Sequence, residues 1–553
     1  MNKKKMTGLI ALGAALGAAA AAAAVAKNKR KKFRSDEKRT AKLSPAKKAY
    51  LIGGGLSNLA CAVYLIHECN FAGENIYIFE SSFNRDTGTD KSGFFCFSEM
   101  CFNENAYKNF LNLMSIIPSA YNPDLSAADE IYNFSRTNPL CANTAVADKN
   151  GNVFLKPECG LERCDRKQLF KLMHTSDSEI RTMTVSDWFD SQFFNSDFWN
   201  IWSCNLYIKQ SSNLKEFKDC MSKYVFNAAY GGKKPELLRT PYNTNESIIK
   251  PLIKYLSLHG VCFETGAEVT DLDFEDNSLT VSALHITDNG TRKTIYLNSP
   301  DICIMTAGSP IDGYAAGDFA SAPLRGSTNT PAKNLLNALA DKNSVFADVL
   351  NNLEASEKNA FESFTVTMKS NRPQKYVREI ADSSAAKVHL RDSAWGITVI
   401  SDAQPRFTAQ NGTYVFSGFG MYPDRIGNYV KKPMKDCCGA EILYELICHL
   451  NMREDWESIA DETVNVIPCY LPFAAAAQHT ADKLPVTLEN TSNFALTGQL
   501  TDIDGEPSFT AEHSVISGRN AAYALTHTKK TVQINRHTRK PSIFSAAWKK
   551  INF

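Results

Sequence analysis

A chain of 553 residues with 44% hydrophobic and 10% aromatic side chains is too long and too apolar for a disordered tail or one small module; two or three packed units are expected. The net charge of +2 hides an asymmetry: residues 1–48 carry fourteen Lys/Arg against two Asp/Glu (+12), residues 529–553 seven against none (+7), which leaves −17 on residues 49–528. Such a body excludes nucleic acid as a partner, while the basic ends suit an anionic membrane surface.

The first predicted element is an uncharged run from Thr7 to Ala26, mostly Ala, Gly and Leu. At ~1.5 Å per residue it spans roughly 30 Å, the thickness of a hydrocarbon core. A membrane anchor is the leading expectation, ahead of a secretory signal cleaved after Ala26 and a soluble alanine-rich helix. Six positive charges between Lys27 and Arg34 outweigh Lys3, Lys4 and Lys5 on the other flank, so the positive-inside rule puts the folded body in the cytoplasm. The expected localisation is therefore a cytoplasmic body held to the membrane by its N-terminal helix.

Ala49 to Glu80 then sets out a complete βαβ unit. Tyr50 to Ile52 is a strand, Gly53-Gly54-Gly55 a tight turn, Leu56 to Glu68 an apolar helix, and Ile76 to Phe79 a second strand ending on Glu80. Glycines let backbone N–H groups approach a pyrophosphate at a helix N-terminus, and an acidic residue closing the second strand accepts hydrogen bonds from a ribose. Gly53, Gly55, Asn58 and Glu80 are the candidate cofactor ligands, with Asn58 where the G-x-G-x-x-G pattern has its third glycine.

Ser81 to Gly93 reads as a surface loop beside that site. Met183 to Phe226 is dense in aromatics at helical spacing, including Trp188, Phe193, Trp199, Trp202, Tyr207, Phe217 and Tyr224; such a stripe packs a core or walls a long apolar substrate. A helix from Asn245, a strand at Val261 to Glu264, an alternating stretch from Val269 to Leu284 and a buried strand through Ile302-Cys303-Ile304 return the chain to the nucleotide sheet. The last return is Asn493 to Gln499, with Gly498 at the strand end and Ser514 near the start of a helix through Ala521 and Leu525 as further cofactor ligands. The fifteen cysteines are scattered with no zinc-like spacing, which fits reduced thiols and no metal site. The C-terminal tail, from Ser542 to Phe553, mixes aromatics with lysines as a frayed end or a membrane-surface contact does.

The segments IGGGLSNLACAVYLI, RTPYNTNESIIKPLIKYLSLHGVCFETGAEVTDLDF, ESFTVTMKSN, FSGFGMYPDRIGNYVKKPM, NVIPC and NFALTGQL with FTAEHSV resemble the flavin-dependent fatty-acid hydratases, also called oleate hydratases or myosin-cross-reactive antigens. The resemblance covers about residues 49–526. It implies FAD, a long-chain unsaturated fatty acid as substrate, and addition of water across a cis double bond to give a hydroxy fatty acid. Hydration of an isolated alkene needs an acid for one carbon and a base that activates water for the other. The family's acid matches Tyr242 in RTPYNTNES, with Asn243 beside it as a substrate contact. Its base lies in an Arg-Gly-Gly-Arg-Glu loop that is rewritten here as Phe94-Phe95-Cys96-Phe97-Ser98-Glu99-Met100, so the carboxylate falls on Glu99 or, on the alternative register, Glu104. Lys431, near Arg425, is the candidate for the substrate carboxylate.

The expected fold is α/β: a discontinuous Rossmann-like FAD domain with an interleaved substrate domain, a smaller helical and aromatic region and the N-terminal membrane helix. The units are 1–48 (membrane helix and linker), 49–130, 241–320 and 466–528 (the three parts of the FAD domain), 131–240 (aromatic helical and substrate region), 321–465 (substrate domain) and 529–553 (basic tail). A homodimer stays open as an assembly. The competing readings are a flavin-dependent fatty-acid or isoprenoid isomerase or desaturase, and a non-catalytic FAD- and lipid-binding relative.

Overall fold

The structure, a computed structural model, describes residues 47–534 apart from 82–87, 98–100, 139–143, 155–159, 227–236, 307, 326–329, 355–359, 382–385 and 480–482. The Thr7–Ala26 run, Glu99 and residues 535–553 lie outside the described residues. Among those described, no helix is long and apolar enough to cross a membrane.

Five short strands form a parallel sheet: β1 (Ala49–Ile52), β2 (Ile76–Glu80), β3 (Cys262–Thr265), β4 (Ile302–Thr306) and β5 (Phe494–Thr497). Their order is β5-β4-β1-β2-β3, with every pair parallel. The strand order reverses direction between β1 and β4, and open α/β sheets bind ligands at such a switch point. The four β1 residues are all buried, as expected of a strand covered on both faces.

One covering layer is a helix pair, α1 (Leu56–Cys69) and α2 (Ala511–Thr526). Helix α1 ends on Asn70, whose left-handed φ of 58° closes the last turn. Its residues from Ser57 to Leu65 are buried on every side, which explains the lack of a polar face in that stretch. Apolar residues of both helices share one core with Leu51, Ile76, Ile78 and Ile304. The other face is covered by an antiparallel meander, Ala267–Phe274, Val281–Asp288 and Thr291–Tyr296, and by helix Pro331–Lys342, whose Leu335, Leu336 and Leu339 enter a second core.

An eight-stranded sheet forms the other large unit, in the order Ala315–Ala316, Thr463–Leu471, Phe361–Met368, Tyr414–Gly420, Ile397–Ser401, Ala386–Leu390, Ala145–Ala147, Val153–Phe154. It is antiparallel except where Ala145–Ala147 runs parallel to Ala386–Leu390. Helix Gly439–His449 packs Ile442, Leu443, Leu446 and Ile447 onto it. The aromatic stretch folds into short helices around Phe189, Phe193, Trp199 and Phe217. The Phe189 and Phe193 rings stack with centroids 3.9 Å apart. All cysteines among the described residues are free.

Candidate functional site

The glycine turn between β1 and α1 is held from three directions. Gly53 takes φ +95°, where an L side chain is strained, and a Cβ there would approach Thr306 Oγ1 to 3.1 Å. Gly53 N donates to Phe79 O at 2.9 Å. Gly54 N donates to Glu80 Oε2 at 2.8 Å. Gly55 is the N-cap of α1 and offers no side chain to the first-turn N–H groups, and a Cβ on it would meet nothing within 4 Å. The unpaired donors of a helix start therefore face open space, where the macrodipole favours an anion.

Asn58 has a different position from the one its place in the motif suggests. It is fully buried, its Nδ2 donates to Ile52 O (2.8 Å) and Gly53 O (2.9 Å), and its Oδ1 accepts from Thr497 Oγ1 at 2.8 Å. It ties β1, the glycine turn and β5 together and does not line the cavity. Just after β5, Gly498 repeats the φ of +95° and receives His513 Nε2 on its carbonyl at 3.2 Å. Burial and, secondarily, Lys483 lower the His513 pKa to about 4. The ring is therefore neutral near pH 7 and serves to position the Gly498 turn.

A single cavity of about 1030 Å³ opens from this turn. Gly53, Gly54, Gly55, Glu80, Gly308, Gly498 and Ser514 line one limb. Trp202, Leu206, Tyr207, Tyr224, Phe361, Ile400, Phe419 and Phe509 line the other. The first limb fits a dinucleotide: two helix N-termini, those of α1 and α2, converge there, with an acidic side chain at the end of β2. Phe97 also reaches the cavity, with its ring edge-on to Phe95 (4.9 Å) and Tyr314 (4.8 Å). The loop that carries it is tied to the large sheet, because Thr365 Oγ1 accepts from Cys96 N and donates to Cys96 O, both at 3.2 Å.

Tyr242 is half-buried, and its ring lies edge-on to Tyr121 at 4.9 Å. Tyr121 donates to Glu246 Oε2 at 3.3 Å, and burial followed by the Glu246 charge raises its pKa. Tyr242 is not among the cavity-lining residues, whereas Thr244 and Asn245 in the next turn are. Asn243 is buried and builds the loop: its N donates to Arg406 O at 2.9 Å and its Oδ1 accepts from Glu246 N at 3.0 Å. Glu104 is exposed and accepts from Tyr132 at 3.0 Å, away from the cavity. Lys431 is exposed and bonds to Asn428 O in its own loop. Arg425 stacks 3.8 Å above the Tyr422 ring, on a separate cavity of about 380 Å³.

Sequence reasoning missed Tyr107 and Asp402, whereas Tyr224 belongs to the expected aromatic wall. Tyr224 and Tyr107 both line the cavity, with the Tyr224 hydroxyl donating to that of Tyr107 at 3.4 Å, and burial raises both pKa values. Asp402 lines it too, paired with buried Arg239 and 3.9 Å from Arg406 Nε. A run of aromatics reveals Tyr224 as apolar wall; nothing local in sequence marks Asp402. Among the described residues, one group has metal-like geometry, Asp271, Asp273 and His285, and Lys342 Nζ already sits 2.8 and 3.2 Å from its two carboxylates.

The MCRA family model matches residues 46–523. A linoleate hydratase of Lactiplantibacillus plantarum is 27% identical over 91% of this chain and 98% of its own length. An oleate hydratase of Streptococcus pyogenes serotype M49 is 26% identical over 88% of this chain and 86% of its own. An oxidoreductase from Methanosarcina mazei superposes with a TM-score of 0.52 at 13% identity, over 86% of this chain and 99% of that one, a likeness of fold alone. The two-helix anion site, the closing acid on β2 and these matches are consistent with FAD as cofactor. With a match that runs from the residues before β1 into the last turns of α2, the chain belongs to the MCRA family.

Proposed function

We propose that this chain binds FAD at the glycine turn and a long-chain unsaturated fatty acid in the apolar limb, and adds water across a cis double bond. The observation that carries this reading is the continuity of one cavity between a dinucleotide cradle and a wall of aromatic and aliphatic side chains. The hydratase names of two relatives aligned over most of the chain support the reaction class. Gly53, Gly55, Glu80, Gly498 and Ser514 would hold the cofactor, which when bound would polarise the reaction site. The Tyr242 hydroxyl would protonate one alkene carbon as a C–H bond forms. Glu99 would take a proton from water as its oxygen bonds the other carbon; Glu104, exposed and outside the cavity, suits that role less. Tyr242 must turn from Tyr121 towards Thr244 and Asn245 to reach the substrate.

The test is incubation of the FAD-loaded chain with a panel of cis-unsaturated fatty acids, followed by mass spectrometry. Products heavier by one water, lost on Tyr242→Phe with FAD binding intact, support the reading. Bound lipid without product in both oxidising and reducing buffer favours a second reading, an FAD- and lipid-binding protein. The edge-on seat of Tyr242 on Tyr121 and the bulk of Phe97 in the cavity are the observations behind that alternative. We also propose the Thr7–Ala26 run as a membrane anchor with the body on the cytoplasmic side; deleting residues 1–46 should move the protein from the membrane to the soluble fraction.

A further inference from the structure

The apolar limb holds one cation. Among the described residues that line the cavity, Lys387 alone carries positive charge, against the carboxylates of Glu80, Glu268, Asp312 and Asp402. Its Nζ donates to Cys204 O at 3.4 Å and stands 5.5 Å from the Tyr207 ring centroid and 5.7 Å from that of Phe419. It forms no ion pair among the described residues. Thr144 precedes the register partner of Val388 and so lies beside Lys387 on the neighbouring strand. The Thr144 hydroxyl donates to Asn205 Oδ1 at 2.9 Å, which places neutral hydrogen-bonding groups beside the ammonium, while Asp402, the nearest lining carboxylate along the sheet, is already paired with Arg239. A half-buried ammonium without a carboxylate partner is costly, and burial lowers its pKa. An arriving anion reverses both effects.

We propose that Lys387 anchors the carboxylate of the fatty acid, with Thr144 and Asn205 completing the polar end of the limb; this rests on the reading of the cavity as an acyl site. The sheet register gives the anchor a distance from the reacting end. Lys387 pairs with Ile400, Ile400 with Ser417, and Ser417 with Thr365, the residue that holds Cys96 of the Gly93–Phe97 loop. Three strand spacings of ~4.8 Å separate the Lys387 backbone from that of Thr365, which holds the loop, by roughly 14 Å. The loop therefore meets the acyl chain well beyond the carboxyl group, where an internal double bond lies.

The test compares binding of oleate and methyl oleate to the full FAD-loaded chain by titration calorimetry. The parent should prefer the acid by on the order of tenfold or more, the loss expected when a charged hydrogen-bond partner is removed. Lys387→Met should bind the acid as weakly as the ester while keeping ester affinity, and Lys387→Arg should keep the preference. A preference that survives Lys387→Met overturns the anchor and leaves the acyl site standing. Equal affinity of the parent for acid and ester does the same, and needs no variant to fold. Binding of neither ligand by the parent overturns the acyl site and the anchor with it.

Discussion

Gly518 and Ser57 bring α2 and α1 into backbone contact: a Cβ on Gly518 would stand 2.1 Å from Ser57 O and 3.0 Å from Cys61 N. In the G-x-G-x-x-G pattern the third glycine serves close packing of the helix that follows the turn. Here Asn58 fills that motif position and the close approach is supplied from a helix that begins more than 450 residues later. Both atoms in the way are backbone, so Gly518→Ala forces the helices apart. The gain in helix propensity, about 1 kcal/mol, is offset by overpacking of about 1–3 kcal/mol. Because Ser514 on the same helix lines the cavity, the variant should melt several degrees lower and bind FAD more weakly; melting and flavin titration check both.

Asn58→Gly would restore the motif and is expected to weaken the protein. It removes the donors to Ile52 O and Gly53 O and leaves the buried Thr497 hydroxyl with the long 3.5 Å contact to Thr306 Oγ1. Each unsatisfied buried group costs about 1–3 kcal/mol. Denaturant melts of the variant should show a loss of several kcal/mol, and Asn58→Asp, which keeps only the acceptor for Thr497, should also be destabilised.

Glu80 has two duties, and a variant separates them. Its Oε2 holds Gly54 N at 2.8 Å, while its position at the end of β2 presents the carboxylate to the cavity. Glu80→Gln keeps an oxygen for Gly54 and loses the charge that strengthens a bond from a ribose hydroxyl. FAD affinity should fall on the order of tenfold with little change in melting temperature. Glu80→Ala should lower both, which fluorescence titration and melting curves check.

How much of this was legible in sequence depends on the distance over which each residue acts. The strand, turn and helix of Ala49–Cys69 are coded locally, and the helix is observed over Leu56–Cys69 against an expected Leu56–Glu68. The returns through Ile302–Thr306 and Phe494–Thr497 were also visible, since a buried strand entering a glycine turn is a local pattern. Asn58 could be flagged only as a defect in a motif, because its partner Thr497 comes from a strand 439 residues away. Lys387 was invisible for a similar reason: in sequence it is one lysine in an alternating strand, and its solitude among carboxylates exists only after two sheets and a helical unit close around it. Tyr242 and Glu99 were named by resemblance alone; spacing and periodicity did not point to them.

A pH experiment isolates His513. Its folded pKa of about 4 lies below the ordinary value of about 6.5, so the unfolded chain binds the proton more tightly. The contribution to stability is complete above pH ~6.5 and lost as the pH falls towards 4, up to about 3 kcal/mol. Buried His389, beside Lys387, is lowered to about 4 and acts in the same sense. Glu506 and Asp219 act in the opposite one: burial raises them to about 7 and about 6. Their contribution is present below pH ~4 and lost as the pH rises through those values. These groups oppose one another, so the prediction concerns the difference between parent and variant. His513→Gln keeps a donor for Gly498 O but cannot take up a proton. Between pH 6.5 and 4.5 the variant should lose less stability than the parent, so the two melting curves should approach or cross on acidification. A constant offset across that range would mean that His513 has the same pKa in the folded and unfolded chain.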